Sequence, residues 1–273
     1  MGKFQDKVVV VIGAGSGIGR ATALAFAREG ASVHVVDIDG ERARAVTTEI
    51  NRNDVRAAVA HTVDCSKLDQ MESLAESIYK MDSRVDIIQN GAGVLVSAPV
   101  EKIAVEAWRR SIDVNLWGVI NSLIVFLPRM LSQGGGGHVI NIASLAGLIG
   151  FPYTAPYSTT KFAIVGLTEA IAIELGGRGI NFTTVCPGAV STNLMNDGLL
   201  DLPGRWADLI RNAIDKHATN PDLIADRILE AVFKRKGLIV PSPEVLPLWW
   251  MKRLFDEHFR YFAGRAAAVL VRK

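Results

Sequence analysis

Five β-branched residues in succession, Val8 to Ile12, form the first regular stretch of the chain. A run of this kind, without alternation of polar and apolar positions, marks a strand buried on both faces of a parallel sheet. Gly13, Gly15, Gly17 and Gly19 follow as a turn. Arg20 to Glu29 then reads as a helix ending at Gly30, and Ser32 to Val36 as a second strand closed by Asp37. The alternation continues with a helix over 40–52, a strand over 55–63, a helix over 67–80 and a strand from Val85 to Gln89. A long helix over 101–130, a strand from His138 to Ala143, a helix over 157–175 and a strand from Asn181 to Cys186 come next. The series closes with a helix over 221–235 and a short strand from Leu238 to Val240. Alternation of this length predicts an α/β protein, a parallel sheet with helices on both faces. No linker divides it, so 1–240 is expected to be one domain. Ser191 to Asn220 and the segment after Pro241 depart from the pattern.

Composition narrows the partners. A hydrophobic fraction of 49% is ample for a sizeable core. The 30 basic and 28 acidic residues are interspersed and leave a net charge of +2, which gives no sign of a nucleic-acid surface. Cys65 and Cys186 stand far apart without ligand spacing, so neither a disulfide framework nor a metal site is expected. Met1 to Lys7 lacks an apolar signal core, and no apolar run approaches the ~18 residues of a membrane span. The expectation is a soluble, cytoplasmic protein with reduced thiols.

Chemistry enters with Tyr157 and Lys161. On one helix they project from the same face a turn apart. Bringing a phenol from pKa ~10 to ~7 requires about 4 kcal/mol, and a cation ~4 Å away at an effective dielectric of ~20 supplies about that. The pair therefore reads as a tuned proton donor and acceptor. Alone the motif is weak, because four tyrosines and eleven lysines give about 0.16 chance matches in 273 residues.

The glycine turn supplies the context. Between a buried strand and a helix, Gly13-Ala14-Gly15-Ser16-Gly17-Ile18-Gly19 lets the backbone approach a phosphate while the amides at the helix start attract its charge. The same turn serves S-adenosylmethionine enzymes, but a methyltransferase reading leaves Tyr157 and Lys161 unexplained. Asp37 lies 18 residues beyond Gly19, close to the ~20 expected for an acid that binds a ribose 2′-hydroxyl and repels a 2′-phosphate. Ser16 and Ile38 are not basic. NAD is therefore expected over NADP; the plain alternative is that Asp37 only caps the next helix.

Taken together, the sequence resembles the short-chain dehydrogenase/reductase family over about residues 5–240. The resemblance rests on Gly13-x-x-x-Gly17-x-Gly19, Asp64 after the third strand, Asn90-Gly91-Ala92-Gly93, Asn115, Ser144, Tyr157-x-x-x-Lys161, and Pro187-Gly188 followed by Thr192. It implies a Rossmann-type doubly wound sheet of about seven strands in the order 3-2-1-4-5-6-7. It also implies hydride exchange between NAD(H) and a secondary alcohol or ketone. Tyr157 is then the general acid/base, and Lys161 lowers its pKa and binds the nicotinamide ribose. Ser144 binds the substrate oxygen, and Asn115 holds a water that joins Lys161 to solvent. For the cofactor, the resemblance assigns Asp64 and Cys65 to the adenine, and Asn90, Gly91, Ala92 and Gly93 to the adenine ribose. Pro187, Gly188, Val190 and Thr192 face the carboxamide. Gly91 departs from the asparagine usual in the family and removes a brace of the central sheet. Family members are commonly tetramers, so a homo-oligomer is expected.

Substrate contacts should come from loops beyond the carboxyl ends of the strands. Ser144, Leu95, Val96, Leu145, Phe151 and Tyr153, with a lid over 191–220 carrying Leu194, Met195 and Trp206, are mostly apolar. A hydrophobic alcohol or ketone, of steroid, retinoid or lipid type, is expected. After Pro241, the residues Leu246, Trp249, Trp250, Leu254, Phe255 and Phe259, with Lys252, Arg253, Arg260 and Arg265, suggest a partly amphipathic helix. It could pack on its own subunit or a neighbour, cover the substrate pocket, or touch a membrane surface. Two competing readings are an NADP-dependent carbonyl reductase and a non-catalytic dinucleotide sensor that binds partners through this tail.

Overall fold

The computed structural model describes residues 2–52, 58–191, 194, 198–202, 206–208, 212, 218–242 and 246–271. In chain order the first half runs β1 (Val8–Ile12), α1 (Gly17–Arg28), β2 (Ser32–Asp37), α2 (Gly40–Asn51), β3 (Ala58–Thr62), α3 (Leu68–Asp82) and β4 (Ile87–Asn90). A short β5 (Val96–Ser97) precedes α4 (Val105–Ile112) and α5 (Gly118–Ser132). After β6 (Gly137–Ile142) come α6 (Ala155–Glu174), β7 (Ile180–Val185), β8 (Leu199–Leu200), α7 (Pro221–Phe233) and β9 (Leu238–Ile239). Two helices, α8 (Leu246–Leu254) and α9 (Asp256–Val271), end the chain.

Seven strands form one parallel sheet in the order β3-β2-β1-β4-β6-β7-β9. Counted along this sheet alone the order is 3-2-1-4-5-6-7, as expected from the sequence, and β1 and β4 flank the point where the winding reverses.

The valine run shows why β1 is central. Val8, Val10 and Ile12 face one layer, with Met71, Leu74 and Ile78 of α3, Phe126 and Met130 of α5, and Ile164 of α6. Val9 and Val11 face the other, with Phe26 of α1, Val46 of α2, and Ile224 and Ile228 of α7. Each large side chain buried this way contributes about 1.5–3 kcal/mol, so the doubly buried strands fix the sheet that positions the loops. The amino ends of the two central strands, β1 and β4, are pinned by Asp86, buried, which accepts from Val8 N (3.0 Å), Lys7 Nζ (3.2 Å) and Arg84 Nη2 (2.7 Å).

Three features differ from the pattern reading. The long helix is broken: a turn of π-helix over Asp113–Trp117 joins α4 to α5. A pair of two-residue strands, β5 and β8, lies beside the main sheet and is too short to leave a periodicity. The tail is two helices meeting at Phe255, with Leu248, Trp249 and Phe259 packed against the first core layer. By length and composition Val105–Ser132 could cross a bilayer. Its Phe126 and Met130 lie under the sheet, as in the core helix of an α/β protein.

Candidate active site

The carboxyl ends of β1, β4, β6 and β7 open onto a cleft of about 900 Å³. At one end lies the glycine turn. Gly13 has φ +79°, and a Cβ there would stand 2.5 Å from Ala92 N. A Cβ on Gly19 would stand 2.0 Å from Gly13 O, so only glycine allows α1 to start this close to β1. Ser16 is the N-cap of α1 and makes no side-chain cap bond, and no acid occupies the first turn. Ser16, Gly17 and Ile18 line the cleft, so the orphan amides and positive dipole end of α1 face it, which suits a pyrophosphate. Gly15 does not line the cleft; its N–H donates to Asp37 Oδ2 at 2.7 Å and ties the turn to the end of β2.

Asp37 is not the cap of the next helix. Asp39 does that, accepting from Glu41 N and Arg42 N, while Asp37 Oδ1 accepts from Asp39 N at 3.0 Å. Two of about four lone-pair positions of Asp37 are thus used, and the carboxylate faces the cleft. Asp64 and Cys65 line the same end. Asp64 Oδ1 accepts from Ser66 N and Oγ at 3.0 and 2.7 Å. Burial pushes the Cys65 thiol up to about 12, with the Asp64 charge adding to it, so this sulfur stays protonated.

The other end is built on α6. Tyr157 and Lys161 are both buried at the cleft wall, with the Lys161 ammonium 5.6 Å from the centre of the Tyr157 ring. Lys161 Nζ donates to Ile142 O at 2.9 Å. Ser144, extended at the N-cap of a short turn over Leu145–Gly147, accepts from Ala146 N and presents its hydroxyl to the cleft.

The electrostatics depart from the sequence expectation. Burial raises the Tyr157 pKa above 10, and a hydrogen bond with Ser144 offsets only part of this. Burial also lowers Lys161 from 10.5 to about 8. One lysine therefore does not bring the phenol towards neutrality. Loss of water penalises both charged forms, and the ammonium is engaged by Ile142 O.

Two polar tethers hold α6. Asn115, in the π turn, is buried; its Oδ1 accepts from Val94 N (2.7 Å) and its Nδ2 donates to Val94 O (3.0 Å) and Thr160 Oγ1 (3.1 Å). Thr160 in turn donates to Tyr157 O at 2.8 Å. Asn115 does not line the cleft, but a Cβ on Gly93 would lie 3.3 Å from its Oδ1 and 3.6 Å from Lys161 Nζ. The bare glycine thus sits between the two. The second tether runs from Asn90 Nδ2 to Asn141 Oδ1 (2.8 Å) and from Asn141 Nδ2 to Thr168 Oγ1 (2.9 Å). Asn90 is therefore structural here and does not itself line the cleft. Beside Gly91 the buried Gln89 amide and Asn90 Oδ1 find no protein partner among the described residues.

Gly91, Ala92 and Gly93 line the cleft, as do Pro187, Gly188, Val190 and Leu194. Of the expected substrate contacts, Leu95, Val96, Leu145, Phe151, Tyr153 and Trp206 do not. Leu145 is buried in the core, its N–H bonded to Pro187 O. Leu95 lines a separate small cavity with Val96 and Leu199. Tyr153, at φ +63°, packs edge-on against Trp206, 5.4 Å between ring centres. Thr192 and Met195 lie outside the described residues. The pattern reading missed Glu106, Arg109, Arg110 and Asp113, which line the cleft from one face of α4 and the π turn. Their three- and four-residue spacing was the available signal. It also missed Arg42, which lines the Asp37 end with Nε on Asp39 Oδ2 at 3.2 Å.

A family model described as short chain dehydrogenase matches residues 7–200. Among curated relatives, a probable oxidoreductase, EphD, of Mycobacterium tuberculosis is 34% identical over 268 residues; the match takes in 95% of this chain and 45% of the relative. The chain thus spans about half the length of this relative. Cyclohexanol dehydrogenase of an Acinetobacter species is 39% identical over 194 residues, 71% of this chain and 76% of the relative. Among solved structures, a short chain dehydrogenase/reductase of Burkholderia phymatum in complex with NAD superposes with TM-score 0.87 and 27% identity, covering 94% of this chain and 96% of that one. With the strand order, the glycine turn and the Ser144, Tyr157 and Lys161 group, these matches show that the chain belongs to the short-chain dehydrogenase/reductase family.

Proposed function

We propose that the protein interconverts a hydrophobic secondary alcohol and its ketone with NAD(H) as partner. The carrying observation is that Ser144, Tyr157 and Lys161 share one wall of a cleft whose far end is a glycine turn with an uncapped helix start. A nicotinamide held beside Tyr157 and Lys161 would supply the acceptor for the hydride of the alcohol carbon. Tyr157 takes the hydroxyl proton on its phenol oxygen, and Ser144 Oγ donates to the substrate oxygen as charge gathers there. Because burial holds the phenol high, its proton exchange depends on positive charge brought close to it, from Lys161 and from the oxidised cofactor. Lys161, whose ammonium lies beside the Tyr157 ring, is next in line to pass the proton on.

At the other end the amides of Ser16, Gly17 and Ile18 take the pyrophosphate, and Asp37 takes the ribose hydroxyls. A carboxylate there opposes a 2′-phosphate, which supports NAD over NADP. Arg42 at the same end supports a second reading, an NADP-dependent carbonyl reductase, and initial rates with NADH and NADPH separate the two. An apolar substrate is supported by Val94, Ile142, Val190 and Leu194 in the cleft and by the relative named for cyclohexanol. The test of the whole reading is Tyr157→Phe. It should bind NADH as the parent does and lose at least ~10³-fold in turnover; undiminished turnover would overturn the assignment.

A further inference from the structure

Helices α8 and α9 leave a surface that the fold does not use. Leu248 and Trp249 seat α8 on the core, and Lys252 Nζ lies 5.6 Å from the centre of the Phe162 ring on α6. The opposite side of the same helix is also apolar: Pro247, Trp250, Met251 and Leu254 follow the i, i+3, i+4, i+7 spacing and are all exposed. Leu254 is 66% and the adjoining Phe255 58% exposed. A helix apolar on two sides is normally covered on both. In α9, Phe259 reaches the core, but Phe262, one turn further along the same face, is 66% exposed. From Arg260 to Ala266 every residue is exposed.

The charge of the chain is concentrated on this element. Residues 246–273 hold six of the 30 basic and two of the 28 acidic residues, so they carry +4 and the preceding 245 residues carry −2. Asp256, one of the two acids, is already paired with Lys252 and Arg260. Arg253 lies against the Trp249 ring, and Arg265 against Tyr261, to which it donates.

We propose that α8 and α9 dock this protein on the surface of an anionic lipid bilayer. Trp250, Met251, Leu254 and Phe255 enter the headgroup boundary, and Arg253, Arg260 and Arg265 meet lipid phosphates. Tryptophan and tyrosine beside arginine is the composition that such a boundary favours. A second copy of the chain fits less well, because two-fold pairing would set two +4 segments against each other. The inference concerns binding alone and stands apart from the catalytic reading.

The full chain is sedimented with phosphatidylcholine vesicles, with and without phosphatidylserine. Phosphatidylserine should carry the protein into the pellet, and binding should fall steeply as salt rises from about 0.05 to about 0.5 M. Trp250→Glu/Leu254→Glu, both outward-facing, should weaken binding at least ~10-fold while leaving the melting temperature and the NADH affinity unchanged. Arg253→Glu/Arg265→Glu, which keeps the apolar stripe, should remove the preference for phosphatidylserine, at roughly fivefold per arginine. The proposal is overturned if the parent protein stays in the supernatant with anionic vesicles, or if both variants sediment as it does. It is equally overturned if vesicles bind nothing and light scattering finds an oligomer that Trp250→Glu/Leu254→Glu dissolves, since the occupant is then a second copy.

Discussion

Lys161 holds its charge where the fold penalises it, and Lys161→Met measures the penalty. Lys161 is 4% exposed, and among the described residues its ammonium has one protein acceptor, Ile142 O, at 2.9 Å. Burial takes its pKa from 10.5 to about 8, which at ~1.36 kcal/mol per pH unit makes the protonated side chain about 3 kcal/mol less favourable in the folded than in the unfolded chain. Methionine keeps the stem, removes the charge and forfeits a hydrogen bond worth ~1 kcal/mol. The variant should therefore be about 2 kcal/mol more stable at pH 7 and inactive. The penalty is complete below pH 8, where both states hold the proton. It is relieved as pH rises from about 8 towards 10.5, because the folded chain releases its proton first and the unfolded chain binds more. Urea unfolding followed by circular dichroism, without cofactor, at pH 7 and at about pH 9.5 reads both effects, and the gap between the parent and the variant should narrow at the higher pH. A variant less stable than the parent at pH 7, or a gap that ignores pH, would refute the reasoning.

Three further substitutions test the rest of the cleft. Asp37→Ala removes both the acceptor of Gly15 N and the carboxylate that opposes a 2′-phosphate; the ratio of initial rates with NADH to those with NADPH should fall at least ~10-fold, and an unchanged ratio counts against its role. Gly13→Ala puts a methyl 2.5 Å from Ala92 N at φ +79°, and should cost about 1–3 kcal/mol of stability and most of the NADH affinity, which calorimetry would show. Asn115→Leu breaks the bonds to Val94 and Thr160 and should cost about 2–3 kcal/mol, with faster hydrogen exchange at Val94 N–H; unaltered exchange there would mean that the π turn is held by something else.

The sheet was legible because its signal is long. Val8–Ile12, Ser32–Asp37 and Ile180–Val185 are each buried over most of their length, and residues buried on both faces leave unbroken apolar runs. Placement of Tyr157 and Lys161 on one wall followed from helical spacing in the same way. What escaped depends on distances that spacing does not encode. The π turn carries Asn115, whose amide is bonded to Val94, 21 residues earlier, a contact that spacing does not reveal. Leu95 and Leu145 looked like pocket walls, yet tertiary packing turned one towards a side cavity and the other into the core. The direction of the Tyr157 shift was missed because Coulomb attraction could be worked out from spacing, whereas desolvation, the largest cause of the shift, is a property of the folded cleft.

These observations together explain how the chain tolerates glycine at position 91. An asparagine there would stand over Ile12 O and Gln89 Nε2, at 3.1 and 3.5 Å from its Cβ, and could satisfy an amide now left unpaired. Loss of that brace matters only if α6 can then drift from the sheet. It is held instead at two heights, by Asn115 through Thr160 near Tyr157, and by Asn90 and Asn141 through Thr168 two turns further on. Thr160 and Thr168 also bond back to Tyr157 O and Ile164 O, so each tether ends on the helix backbone and not on a mobile side chain. A buried amide without a partner costs about 1–3 kcal/mol, which a domain of this size can carry. A displacement of ~1 Å in α6 would shift Tyr157 and Lys161 relative to Ser144, which sits on a different element, and misplacement on that scale costs about 10²-fold in rate. The placement of Tyr157 and Lys161 against Ser144 therefore rests on the two tethers far more than on a brace at position 91.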